Sequence, residues 1–141
     1  MGLPDFTLET LNSVIKGTLM ESLGIEFTEA TEGLIRARMP VDNRTLQPAG
    51  ILHGGASLAL AETVGSLGSI LLVDSELFDV RGSNIQASHI RPVTQGVVEA
   101  EARIIYQGKN THLWNIDIRD DKGNLVSTAR LTNFIIRRTQ P

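Results

Sequence analysis

Glu62 is the ionisable residue most out of keeping with its surroundings. It is the sole charged side chain between positions 54 and 73, a stretch otherwise made of apolar and small residues. A carboxylate on a covered helix costs several kcal/mol unless it is paired or neutralised. Burial would raise its pKa and suit it to act as a base or nucleophile. A glutamate at a subunit contact or in solvent would satisfy the same pattern. His53-Gly54-Gly55 is the second signal, placed where the long segment begins. Free N–H groups at a helix start accept negative charge, and glycines let a carbonyl come close to the backbone. Such donors stabilise the oxyanion of a tetrahedral intermediate, an effect worth about 10²–10³ in rate per donor. A glycine-rich entry turn capped by a histidine explains the same three residues without catalysis.

The remaining candidates are weaker taken singly. Gln47 lies on the polar loop before the segment and could donate to a carbonyl, although most loop glutamines are solvated. Ser66 falls four residues after Glu62, on its face, where it could hold water or simply pack. His89 shares a strand face with Ile85 and Ala87, the setting of a satisfied structural histidine. Arg91 and Lys109 are ordinary surface charges that could also meet phosphate. His112 has no ligand-spaced neighbour, so the three histidines do not form a metal set.

These residues need elements to hold them. The 54–73 stretch would span roughly 30 Å as a helix, and its composition on all sides is that of a helix covered by other structure. Its carboxylate, glycines and serines argue against a membrane span. Leu8, Leu11, Ile15 and Leu19 follow helical spacing, so a first amphipathic helix is expected, stopped by Gly24. Extended pieces are expected at 25–27 and 34–39, the second ended by Pro40. Strands follow over 80–91, 97–106 and 125–137. Trp114, Ile116 and Ile118 alternate with polar residues at a period of two. The expectation is an α+β domain over 1–141, one buried helix on a curved antiparallel sheet.

Composition narrows the function. The chain has 141 residues, 21% charged and 41% hydrophobic, in the range of a globular protein. A net charge of −3 without a basic run does not suggest a nucleic-acid partner. There are no cysteines, which removes thiolate nucleophiles and disulfides and fits a cytoplasmic protein. The opening Met-Gly-Leu-Pro-Asp-Phe lacks the pattern of a signal peptide.

Helix geometry relates the signals. His53 and Glu62 are nine positions apart, on opposite sides of one helix and roughly 13 Å apart along it. They are not expected to share a site within one chain. Two antiparallel copies of the helix about a two-fold axis would bring Glu62 of one beside His53 of the other. Gly65, Ser66, Gly68 and Ser69 would suit close packing of the copies.

The run Arg44-Thr45-Leu46-Gln47-Pro48-Ala49-Gly50-Ile51-Leu52-His53-Gly54-Gly55-Ala56-Ser57, followed by Leu60-Ala61-Glu62, resembles the hotdog-fold acyl-CoA thioesterases. The similarity is strongest to the bacterial branch that includes the 1,4-dihydroxy-2-naphthoyl-CoA and enterobactin-proofreading thioesterases, and it extends over nearly the whole chain. It implies a long central helix wrapped by a curved antiparallel sheet, and hydrolysis of an acyl-CoA with Glu62 as nucleophile or general base. It also implies Gln47, His53 and the Gly55 N–H acting on the carbonyl from the partner chain, with Ser66 placing water. Gly82, His89, Arg91 and the loop carrying Gly108, Lys109 and Asn110 would line the CoA and acyl groove. A homodimer or a dimer of dimers is implied, with no metal and no cofactor beyond the CoA of the substrate. An acyl or aryl carrier protein is an alternative thiol carrier; no nucleic acid and no membrane are involved. Lys109-Asn110 stands where relatives often carry Ser-Arg, and the N-terminal helix region departs most. The competing expectations are a hotdog hydratase or dehydratase and a non-catalytic acyl-CoA-binding module.

Overall fold

The computed structural model describes residues 6–139. Residues 1–5, most of the opening read above for a signal sequence, lie outside it. In chain order come α1 (Leu8–Val14), α2 (Leu19–Leu23), β1 (Glu26–Thr31), β2 (Leu34–Val41), α3 (Gly54–Leu72), β3 (Phe78–His89), β4 (Gly96–Gln107), β5 (Thr111–Arg119) and β6 (Leu125–Arg137). The strands form one sheet in the order β1-β2-β4-β5-β6-β3, with every neighbouring pair antiparallel. The chain leaves α3 for the far edge of the sheet, so β3 pairs with β6 alone and presents its other side as an edge twelve residues long.

The expected single N-terminal helix is two short ones. Thr7 caps α1, accepting from the Thr10 N–H. Gly17 then takes φ +77° and turns the chain before α2 begins. Gly24 ends α2 at φ +73°, its N–H donating to the Glu21 carbonyl and the following Ile25 N–H to the Met20 carbonyl. A left-handed Gly17 stops a helix whatever the spacing of the flanking leucines. Asn12 ties α1 to the sheet: its amide donates to the Phe27 carbonyl at 3.0 Å and accepts from the Phe27 N–H at 2.8 Å.

Pro40 does not end β2, which runs on to Val41. The Pro40 carbonyl accepts from the Thr45 hydroxyl, and in a strand the nitrogen of that residue faces the same way. The β1 pairing has already run out at Arg38, and a missing N–H on that side loses no ladder bond.

α3 lies on the concave face of the sheet. Leu60, Ala61 and Val64 are fully buried against Ile35, Val98, Ile116 and Leu131. Gly65 and Gly68 allow the close approach: a Cβ on Gly65 would collide with Leu131, and one on Gly68 with the Trp114 ring. This corrects the expectation that Gly65, Gly68 and Ser69 pack a second helix copy; all three face the chain's own sheet. By length and apolarity alone α3 could cross a membrane, yet here its buried face is covered by strands.

Ser69 centres a buried polar network. Its hydroxyl oxygen accepts from Trp114 Nε1 at 2.8 Å and from Asn133 Nδ2 at 2.9 Å. Its own proton is then left for His112 Nδ1, 2.8 Å away, an assignment made from the network. Burial pushes the His112 imidazole below the ordinary histidine range. The folded chain therefore holds it neutral while the unfolded chain, with a pKa near 6.5, takes up a proton. Stability contributed by this group is complete above that value and falls as pH drops below it. Tm is expected to fall between pH 7.5 and 5.5, and His112→Asn to flatten that slope, as measured by calorimetry across the range. The lowered carboxylates Asp42, Glu101 and Asp120 act in a separate, more acidic window, below their ordinary values of 3.8 to 4.5.

Candidate active site

The loop before α3 is fastened at several points. The Gln47 N–H donates to the Ile51 carbonyl, Leu52 N–H to Val93, and His53 N–H to Thr45, each at 2.8 Å. Gly50, at φ +81°, makes the turn between them. The fastening sets Gln47 beside the start of the helix. Its side-chain oxygen accepts from the Ala49 N–H, which leaves the amide NH₂ as the group available to a ligand, a donor.

His53 is the N-cap of α3, and its Nδ1 accepts from the Gly55 N–H at 2.7 Å. The Gly55 N–H, expected to face a substrate carbonyl, is therefore occupied by the cap. Opposite Gly54 stands the His89 ring, so close that a Cβ on Gly54 would meet its Nε2 at 2.7 Å. The Ser127 hydroxyl donates to the Ser88 carbonyl and lies 2.9 Å from His89 Nδ1. Its single proton is spent, so His89 carries a proton on Nδ1 and donates it to the hydroxyl. Gln47, Gly54, His89 and Arg91 together line a cavity of about 440 Å³ at this end of α3. Among the described residues Arg91 has no carboxylate within ion-pair distance.

Glu62 and Ser66 lie elsewhere. They line a second cavity of about 530 Å³, bounded by α3, α1, α2 and Phe27 of β1. Glu62 is exposed in the single chain, which corrects the expectation that the sheet buries it. The stripe of α3 through Gly55, Ala59, Glu62 and Ser66 is the side that the chain's own strands leave uncovered. Across from it, on the free-edge strand β3, Gly82 makes room for the carboxylate: a Cβ there would collide with Glu62 Oε2. A bulge follows at once, between Gly82 and Asn84.

The expected residues thus fall into two groups on one chain. Gln47, His53, Gly55, His89 and Arg91 gather at the helix start. Glu62, Ser66 and Gly82 gather at mid-helix beside the sheet edge. Gly108, Lys109 and Asn110 form the β4–β5 turn, with the Gly108 N–H on the Thr111 carbonyl and the Asn110 carbonyl taking the Ile135 N–H; they line neither cavity. No cluster able to hold a metal occurs among the described residues. Sequence reasoning did not find the pairing of Gly82 with Glu62, which depends on strand placement.

Comparison with known proteins decides the family. A model of the Thioesterase superfamily matches residues 49–127. The chain belongs to the thioesterase superfamily. This thioesterase is 46% identical over 131 residues to the proofreading thioesterase EntH of Cronobacter turicensis, covering 92% of this chain and 94% of that one. It is 40% identical over 130 residues to the 1,4-dihydroxy-2-naphthoyl-CoA hydrolase of Escherichia coli, covering 92% and 95%. A crystal structure of a thioesterase from Haemophilus influenzae superposes with a TM-score of 0.91 at 46% identity, covering 96% of this chain and 94% of that chain. The fold is the hotdog, as the motif residues implied, and the thioesterase is an enzyme that acts on thioesters.

Proposed function

We propose that this thioesterase hydrolyses acyl-CoA to a carboxylic acid and free CoA, at a site completed by a second copy of the chain. The observation that carries the reading is the separation of Glu62 from the donors at the helix start. A carboxylate without donors, and donors without a carboxylate, make half a site each. The uncovered stripe of α3 and the long free edge of β3 adjoin Glu62. Long exposed edges are templates for strand pairing, and a two-fold axis there would set two α3 helices antiparallel. The helix start of one chain would then face Glu62 of the other.

In that arrangement the Gln47 amide and the partially positive start of α3 polarise the thioester carbonyl. The Gly55 N–H joins them only if His53 releases it, so Gln47 is the principal donor. Glu62 supplies the nucleophile in one of two ways. Its oxygen attacks the carbonyl carbon, the C–S bond breaks, CoA leaves as thiolate and takes a proton from solvent, and water then cleaves the anhydride; or it takes a proton from a water that attacks directly, the C–S bond breaks, and that proton passes to the departing sulfur. Ser66 stands one turn from Glu62 to hold that water. Single-turnover hydrolysis in ¹⁸O-labelled water separates the routes, because label enters Glu62 only through the anhydride. Arg91, beside the helix-start cavity, meets a CoA phosphate; Lys109 is too far from either cavity to line it and contributes at most from the rim. A homodimer, or a dimer of dimers, working in the cytoplasm without metal or cofactor completes the reading.

The test is release of free thiol from acyl-CoA with one equivalent of acid. Crotonyl-CoA is expected to be hydrolysed and not hydrated. Tight CoA binding with no thiol release from any thioester would instead support a binding module.

A further inference from the structure

We infer that the cavity beside Glu62 selects a straight alkyl chain of about eight to ten carbons over a hydroxylated aryl group; this rests on the thioesterase reading above. The argument begins with what lines the cavity. Leu11, Ile15, Met20, Phe27, Leu67 and Ile70 supply apolar walls, and the polar members are Glu62, Thr63 and Ser66. The Thr63 hydroxyl is spent on the Ala59 carbonyl at 2.7 Å. The nearby Asn12 amide is spent at both ends on Phe27. Glu62 and Ser66 stand at the reacting carbonyl. No polar group among the described lining residues is therefore left to meet a hydroxyl deeper in the cavity, and an unmet buried hydroxyl is disfavoured.

Length follows from the helix. Ile70 lies eight residues beyond Glu62, roughly 12 Å along α3. An extended chain advances about 3.3–3.6 Å for every three bonds, so roughly ten bonds reach the end of the cavity. A volume of about 530 Å³ holds such a chain. The N-terminal segment sets both limits: α1 and α2 form the wall opposite α3, held in place by the Asn12 clamp and the Gly17 break. The relative named as a 1,4-dihydroxy-2-naphthoyl-CoA hydrolase takes a substrate with two ring hydroxyls, and the one remote from the carbonyl would find no polar partner in this cavity.

The experiment compares kcat/KM for octanoyl-CoA, 2-naphthoyl-CoA and 1,4-dihydroxy-2-naphthoyl-CoA. Octanoyl-CoA is expected to exceed the dihydroxynaphthoyl thioester by about 10²-fold. The unsubstituted ring should exceed its dihydroxylated analogue by at least about tenfold. Ala59→Leu, which fills the cavity wall beside Glu62, should lower the octanoyl-to-butyryl ratio at least about tenfold. Equal or better turnover of the dihydroxynaphthoyl thioester overturns the inference while leaving the hydrolase reading intact, as does an unchanged ratio in the variant. Absence of hydrolysis for every thioester overturns both.

Discussion

Glu62→Ala is expected to fold and assemble like the parent chain and to lose about 10³-fold in kcat. The fold should survive because Glu62 is exposed and takes part in no ion pair or side-chain hydrogen bond among the described residues. The core beneath it is made by Leu60, Ala61 and Val64, which the substitution leaves alone, and alanine is a better helix former than glutamate. Activity should fall because no other carboxylate stands in either cavity. Steady-state thiol release with calorimetry on the same samples checks both halves. Near-parental kcat would remove Glu62 from the chemistry.

Gly82→Ala is expected to cost about 10²-fold in kcat with KM within about threefold of the parent. The backbone tolerates alanine, since Gly82 is not among the glycines at positive φ, and a strand gains from any side chain over none. What the methyl group disturbs is the place of the Glu62 carboxylate, whose Oε2 lies too close to the new Cβ to stay where it is. A reacting group moved by an ångström loses rate on this scale. A purely structural role would lower Tm and leave kcat alone, so the two measurements together separate the cases.

The central helix was legible in the sequence because its signals agree. A histidine cap, two glycines and an uninterrupted apolar run give one answer, and α3 begins at Gly54 as read. β5 was legible from its strict alternation, and its buried positions fall on the predicted face. The turn at Gly17 was not, because leucine spacing continues across it and only the glycine's left-handed φ breaks the helix. The small residues of α3 predicted a close approach without saying of what: Trp114 and Leu131, far along the chain, fill those notches. The network at Ser69 joins residues 43 to 64 positions apart, beyond any local pattern. Glu62 stood out as the odd charge on its helix, but an apolar composition on every side could not tell which side the chain's own sheet would leave open. The separation of His53 from Glu62 was legible from helical periodicity alone, because nine residues turn the helix by half a revolution.

That division gives the most direct test. Chains carrying Glu62→Ala and chains carrying Gln47→Ala can be co-expressed under different tags and the mixed dimer isolated. If the site is shared between subunits, the mixed dimer has one site with both substitutions and one site with neither. The account predicts about half the parental kcat per mixed dimer, against roughly one per cent or less for either parent variant. A mixed dimer no more active than its two parents would mean that Glu62 and Gln47 do not meet across an interface, and the account would fail.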